Sequence, residues 1–199
     1  MRNILLMLFA IAFVSCKNNR LTPESTGKWP AESDPLTRIV KNNGVEYTIT
    51  LQTAAQMAYL RAYDKKTQKL DEQRYEEELE QTKEHYYFVI VQKGIADRNV
   101  LEQNAGSAEQ YSKRYQYYQT DAQQDMWLIS CTDTLSPDAY LYENNMGVVS
   151  ENRMVAAFPA GQDTCDVQLI FHDRAFDNYQ IKAGYSYKDI KNAPKAKQY

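Results

Sequence analysis

His85-Tyr86-Tyr87-Phe88-Val89-Ile90-Val91 is apolar or aromatic at every position after the histidine. Successive side chains of a strand point to opposite faces, so a run apolar on both faces must be covered on both. That places this stretch centrally in a sheet. Upstream, Val45, Tyr47, Ile49 and Leu51 alternate with polar residues, the pattern of a half-buried strand. Asn42-Asn43-Gly44 before it is a turn signal, which lets Arg38 to Lys41 fold back as a hairpin partner. Thr53 is placed to cap a helix over Ala54 to Asp64, where Ala54, Met57, Ala58 and Leu60 recur at helical spacing. A second, strongly acidic helix is expected over Asp71 to Lys83, with a narrow apolar stripe of Leu70, Tyr75 and Leu79.

Downstream of the central run, Asp97 can cap a short helix through Val100 and Leu101. Ser107-Ala108-Glu109-Gln110 has capping-box spacing and opens a helix on which Tyr111, Tyr115, Tyr118 and Ala122 share one face. From Met126 the period becomes two. Strands are expected near 126–131, 138–143, 153–158, 166–172 and 180–187, broken by polar turns such as Pro159-Ala160-Gly161-Gln162-Asp163. The pattern predicts an α+β fold, with a mainly antiparallel β-sheet or sandwich in the C-terminal half and two or three helices in the N-terminal half.

The chain has 199 residues, of which 43% are hydrophobic, enough for one well-filled core. Lys plus Arg number 23 against 26 Asp plus Glu, so there is no basic footprint and no nucleic-acid partner is expected. The folded body is read as a single domain over 38–190, followed by a basic tail over 191–199.

The first residues set the compartment. Met1-Arg2-Asn3 is a short positive start, and Ile4 to Val14 is an unbroken apolar run. A helix of that length spans about 16 Å, half of a bilayer core, which suits a signal segment better than a membrane span. Phe13-Val14-Ser15-Cys16 resembles the lipobox of bacterial prolipoproteins. That resemblance implies removal of residues 1–15 and acylation of Cys16 as the mature N-terminus, anchored in the membrane through its lipid. Lys17 follows the cysteine where inner-membrane lipoproteins of the enterobacterial type carry Asp, so the resemblance implies the outer membrane, and the lack of an acidic run resembling the surface-export signal of some lineages favours its periplasmic side. Residues 16–37 are polar, with Pro23, Pro30 and Pro35, and read as a flexible tether of about 25 Å end to end.

Few residues offer chemistry. His85 and His172 are the only histidines. With Cys131 and Cys165 they could make a His2Cys2 zinc site, but no Cys-x-x-Cys or His-Glu-x-x-His spacing supports one. A Cys–His nucleophile pair, Cys131 or Cys165 with His172, meets the same objection. Asp163, Asp166, Asp173 and Asp177 flank one strand without forming a calcium loop. Glu76, Glu77, Glu78 and Glu80 point in different directions on a helix and read as a solvated face. No catalytic residue, metal site or cofactor is assigned. Once Cys16 is acylated, Cys131 and Cys165 remain as a pair, and a disulfide competes with two buried thiols.

Sixteen tyrosines are the compositional anomaly. Tyr111, Tyr115 and Tyr118 could form a binding surface for a glycan or partner, since tyrosine offers large contact area at low entropy cost. The alternative is packing, with the helix seated on a sheet. The sequence therefore points to a lipid-anchored interaction or accessory subunit of the cell envelope with a protein partner. A glycan- or peptide-binding module, or a hydrolase or metal-dependent enzyme, stands as the alternative.

Overall fold

The structure, a computed structural model, describes residues 20–21, 34–94, 99–103, 105–143, 149–160, 164–193 and 195–196. The signal segment, Cys16 and most of the tether lie outside the described residues, as does Asp97. Strands in chain order are β1 (Arg20–Leu21), β2 (Thr37–Asn42), β3 (Val45–Gln52), β4 (Tyr63–Asp64), β5 (Lys69–Leu70), β6 (His85–Gly94) and β7 (Met126–Ser130). They continue as β8 (Asp133–Leu135), β9 (Ala139–Glu143), β10 (Asn152–Pro159), β11 (Val167–Asp173), β12 (Asn178–Tyr185) and β13 (Lys195–Ala196). The α-helices are α1 (Ala54–Ala62), α2 (Glu72–Thr82), α3 (Ala108–Gln116) and α4 (Tyr187–Lys191).

Two antiparallel sheets face each other. The larger runs β2-β3-β6-β10-β9 and the smaller runs β12-β11-β7-β8. His85 to Val91 does lie in the middle strand, with Phe88 opposite Leu51 on one side and Ala156 on the other. The inner faces supply the core. Tyr47, Ile49 and Leu51 meet Phe88, Ile90 and Phe158 from the large sheet, and Leu128, Leu169, Phe171 and Ile181 come from the small one. Each of these follows from strict alternation along its strand. One side of the sandwich is closed where β2 meets β12, with Arg38 Nε donating to Gly184 O at 2.9 Å and Asn178 Nδ2 to Asn42 O at 3.2 Å. The other side is covered by α3 and the irregular turns after it, where Tyr140 Oη donates to Tyr118 O.

The expected layout is wrong. Helices do not collect in the N-terminal half with the sheet in the C-terminal half. The N-terminal half supplies β2, β3 and β6, three of the five strands of the larger sheet, and helices are few and scattered from residue 54 to residue 191. The strands at 126–187 divide between two sheets, with β10 and β9 joining the early strands. Pairing partners are chosen by long-range packing, which local periodicity does not report.

Boundaries shift as well. Leu36 is fully buried in the core and Thr37 begins β2, so the body extends into the stretch read as tether. Arg20–Leu21 pairs in parallel with Lys195–Ala196, which ties the tether to the basic tail. At the helix starts Thr53 caps as read, the Ser107–Gln110 box forms only its Ser107 half because Gln110 Oε1 accepts from Gly106 N, and the Asp71 cap is one that the sequence reading does not predict. Thr53 and Gln56 form a reciprocal capping box on α1, Asp71 caps α2, and Ser107 Oγ accepts from Gln110 N on α3. On the acidic helix, Glu78 bridges to Arg61 of α1 at 3.0 Å while Glu76, Glu77 and Glu80 face solvent. α1 and α2 form a small hairpin around Ala58, Tyr59, Ala62 and Tyr75, and α1 lies on the outer face of the large sheet.

Candidate functional site

Two constellations stand out, one inside the sandwich and one outside. The inner one centres on Asp173, the last residue of β11. Val167, Leu169, Phe171 and Asp173 alternate inward, so the carboxylate arrives on an apolar face with no exposure to solvent. It accepts from Tyr47 Oη at 2.6 Å, Tyr118 Oη at 2.8 Å, Gln92 Nε2 at 2.8 Å and Ala175 N at 3.1 Å. A second layer locks these donors. Asn178 Nδ2 donates to Tyr47 Oη at 2.7 Å, and Gln92 Nε2 also reaches Tyr118 Oη at 2.9 Å. Burial pushes the Asp173 carboxyl up to about 6, against the opposing pull of hydrogen bonds from Tyr47, Tyr118, Ala175 and Gln92. Burial, and then the charge of Asp173, drives the Tyr47 and Tyr118 hydroxyls far above the ordinary phenol value. They remain donors at any physiological pH. Every lone pair this carboxylate can use is aimed at a protein donor, and the residue is sealed. The arrangement joins β3, β6, β11 and the segment after α3 at one point, which is a structural role.

The outer constellation is a groove on the exposed face of the large sheet, between α1 and β9, of about 360 Å³. Its floor is Tyr87, Val89, Val155 and Ala157, and its walls include Met57 and Leu60 of α1 and Leu141 of β9. Leu141 is 58% exposed and Leu60 41%, which is unusual for two leucines that share one depression. The charged side chains at the margin are already paired. Arg61 meets Glu78 at 3.0 Å and Arg153 meets Glu143 at 3.2 Å. What the groove offers an occupant is apolar surface inside a neutralised rim.

The residues singled out from sequence fall as follows. His85 lies on the outer face of the large sheet, with Nε2 3.2 Å from Asp138 Oδ2. His172 lies on the small sheet, between Trp127 and Tyr179, with ring centroids at 5.0 and 6.3 Å. The two histidines are thus on different sheets and are not brought together. Cys131 and Cys165 are joined in a disulfide with Cα atoms 5.4 Å apart, tying the β7–β8 turn to the segment before β11. Their sulfurs are therefore unavailable as thiolate nucleophiles or zinc ligands in this state. Among the described residues no group of three or more His, Cys, Asp or Glu is placed to hold a metal ion.

Tyr118, read as part of a binding surface, is fully buried and serves Asp173 instead. Tyr111 and Tyr115 are half-buried and stacked on each other, with Tyr115 edge-on to Tyr142 of β9 at 6.0 Å. Sequence reasoning missed both constellations. Asp173 was readable as an inward position two residues beyond Phe171, but its donors come from three distant segments. In a smaller cleft around Lys113, Arg114 and Arg174 each cation has partners within the protein, although Arg114 Nε is buried without a hydrogen bond. Lys113 pairs with Glu109, Arg174 with Asp125, and Arg114 Nη1 donates to the carbonyls of Leu101 and Gln103.

Comparison with known proteins yields no match to a family model, to a curated protein or to a solved structure.

Proposed function

We propose that this protein is a lipid-anchored interaction subunit of the bacterial cell envelope, held at the outer membrane through Cys16 and facing the periplasm. Its body engages a protein partner through the groove between α1 and β9. The observation that carries the reading is the exposure of Leu60 and Leu141 over an apolar floor of Tyr87, Val155 and Ala157. Surface of this kind is kept out of water when a partner is bound. The lipobox-type Phe13-Val14-Ser15-Cys16 supports the anchor, and two or more acyl chains hold a protein firmly where one does not.

The test is cross-linking in intact cells, followed by purification through a C-terminal tag and mass spectrometry. A stoichiometric envelope partner is expected with the natural protein. It should be lost with Cys16→Ala, which removes the acylated residue, and with Leu60→Asp/Leu141→Asp, which charges the groove and leaves the anchor in place. Recovery of an unchanged partner with the charged groove would overturn the assignment of the surface.

A further inference from the structure

Gln110, Lys113, Arg114 and Tyr117 stand three and four residues apart, so they share one face of α3 and the turn that follows it. That face meets the short 3-10 turn Arg174–Phe176 between β11 and β12, and the two bound an open cleft of about 230 Å³. Among the described residues its lining, completed by Arg174 and Ala175, holds three cations and no carboxylate. Glu109 and Asp125 reach Lys113 and Arg174 from outside that lining.

Arg114 is the unusual member. It is only 8% exposed, and no carboxylate among the described residues pairs with it. Nη1 donates to the carbonyls of Leu101 at 2.9 Å and Gln103 at 2.6 Å, and the guanidinium lies 4.3 Å from the centre of the Phe176 ring. Carbonyls and a ring face offset part of a buried charge, but a buried cation is ordinarily matched by an anion. Holding the end of the 3-10 turn Val100–Glu102 occupies Nη1 alone. Nε is buried without a partner, and Nη2 has none among the described residues. These two N–H groups run parallel along one edge of the guanidinium, the fork that grips two oxygens of a single oxyanion.

We infer that this cleft binds a phosphate group. The site stands apart from the partner groove and shares no residue with it. Nε is closed off from water as the side chain stands, so the Arg114 fork engages through a small rotation toward the cleft. Arg174 commits Nε to Asp125, which leaves its Nη nitrogens for a third oxygen. Lys113 is held by Glu109 in a pair exposed on both sides, and such pairs exchange readily for a better anion. Gln110 Oε1 accepts from Gly106 N, and its Nε2 remains as a neutral donor. Donors from four side chains suit a tetrahedral anion, whereas a planar carboxylate would use little beyond the Arg114 fork.

The test uses the whole chain in phosphate-free maltoside micelles and follows the Arg114 Nε–H signal by proton–nitrogen NMR as inorganic phosphate is added. An N–H with no acceptor should move downfield when an oxyanion accepts it, and the shift should saturate. Lys113→Gln/Arg174→Gln, which changes only exposed side chains, should weaken phosphate by about tenfold or more with the fold intact. A signal that phosphate leaves unmoved, or that chloride of matched ionic strength moves as far, would overturn the site. Acetate that saturates as tightly as phosphate would overturn the phosphate assignment and make the ligand a carboxylate. The source of the phosphate is read in phosphatidylglycerol nanodiscs. A signal already shifted there supports the site with a lipid headgroup as ligand, and one that still responds to inorganic phosphate supports it with a soluble ligand.

Discussion

The interior around Asp173 and the groove beside β9 invert the usual arrangement. Inside the sandwich a carboxylate, two tyrosine hydroxyls and the Gln92 amide are buried and satisfied, whereas outside it two leucines are left in water. The contrast separates two kinds of cost. The inner cluster is expensive to desolvate and recovers that cost only when complete, so it specifies how β3, β6 and β11 meet. The groove costs the isolated fold little, and its exposed surface becomes favourable only when something covers it. Stability should therefore respond to the first region and association to the second.

Substitutions can break that division, and the largest effect is expected at the hub. Asp173→Ala removes the acceptor from Tyr47, Tyr118, Gln92 and the Ala175 amide, and should cost about 3–5 kcal/mol in urea unfolding. A loss below about 1 kcal/mol would show that water or rearranged side chains replace the carboxylate. Next comes the disulfide, whose cysteines are 34 residues apart. Cys131→Ser/Cys165→Ser should lower stability by roughly 3–4 kcal/mol on a chain-entropy basis, measured under oxidising conditions against the natural protein.

A change of pH sharpens the comparison without mutation. The folded Asp173 carboxyl, raised to about 6 by burial, binds a proton more tightly than the unfolded one, near 3.9. Its contribution to stability is therefore full below about pH 4 and falls as pH rises through 6, by roughly 3 kcal/mol. Unfolding at pH 4 and pH 7, compared with Asp173→Asn, should show this component in the natural protein and its absence in the variant. Tyr118→Phe is a smaller step, about 1–2 kcal/mol, because it deletes one donor to the carboxylate and leaves the ring in place. At the bottom of the scale, Leu141→Asp should change stability by no more than about 0.5 kcal/mol while abolishing partner capture. A large stability change there would mean that the groove is part of the core.

Much of this was legible position by position. The alternation of Val45, Tyr47, Ile49 and Leu51 put Tyr47 inward, and the central run from His85 put Phe88 and Ile90 there too. Gln92 continues the inward face of the His85 run and Asp173 that of Val167, Leu169 and Phe171, each one step past the last inward apolar residue, where a polar side chain reads as the end of a strand. Their burial is favourable only because Tyr47, Tyr118 and Asn178 converge on them from other segments, and periodicity carries no information about convergence. The groove was hidden for the opposite reason. Leu60 and Leu141 look like ordinary inward residues of a helix and a strand, and only the pairing of β9 with β10 turns Leu141 outward.

If Cys16 carries the proposed lipid, the short parallel pairing of Arg20–Leu21 with Lys195–Ala196 limits how high the body can stand above a bilayer. A free chain from residue 17 to residue 37 would let the body drift some 25 Å from its anchor. With Arg20 pinned to the body and Cys16 acylated as proposed, only three residues remain between lipid and fold, and the four Cα steps from Cys16 to Arg20 reach at most about 14 Å. β13 lies against α1, and α1 is one wall of the groove. The interaction face would then hang close over the headgroups, and the partner would be one that meets this protein at the membrane surface rather than out in the surrounding fluid.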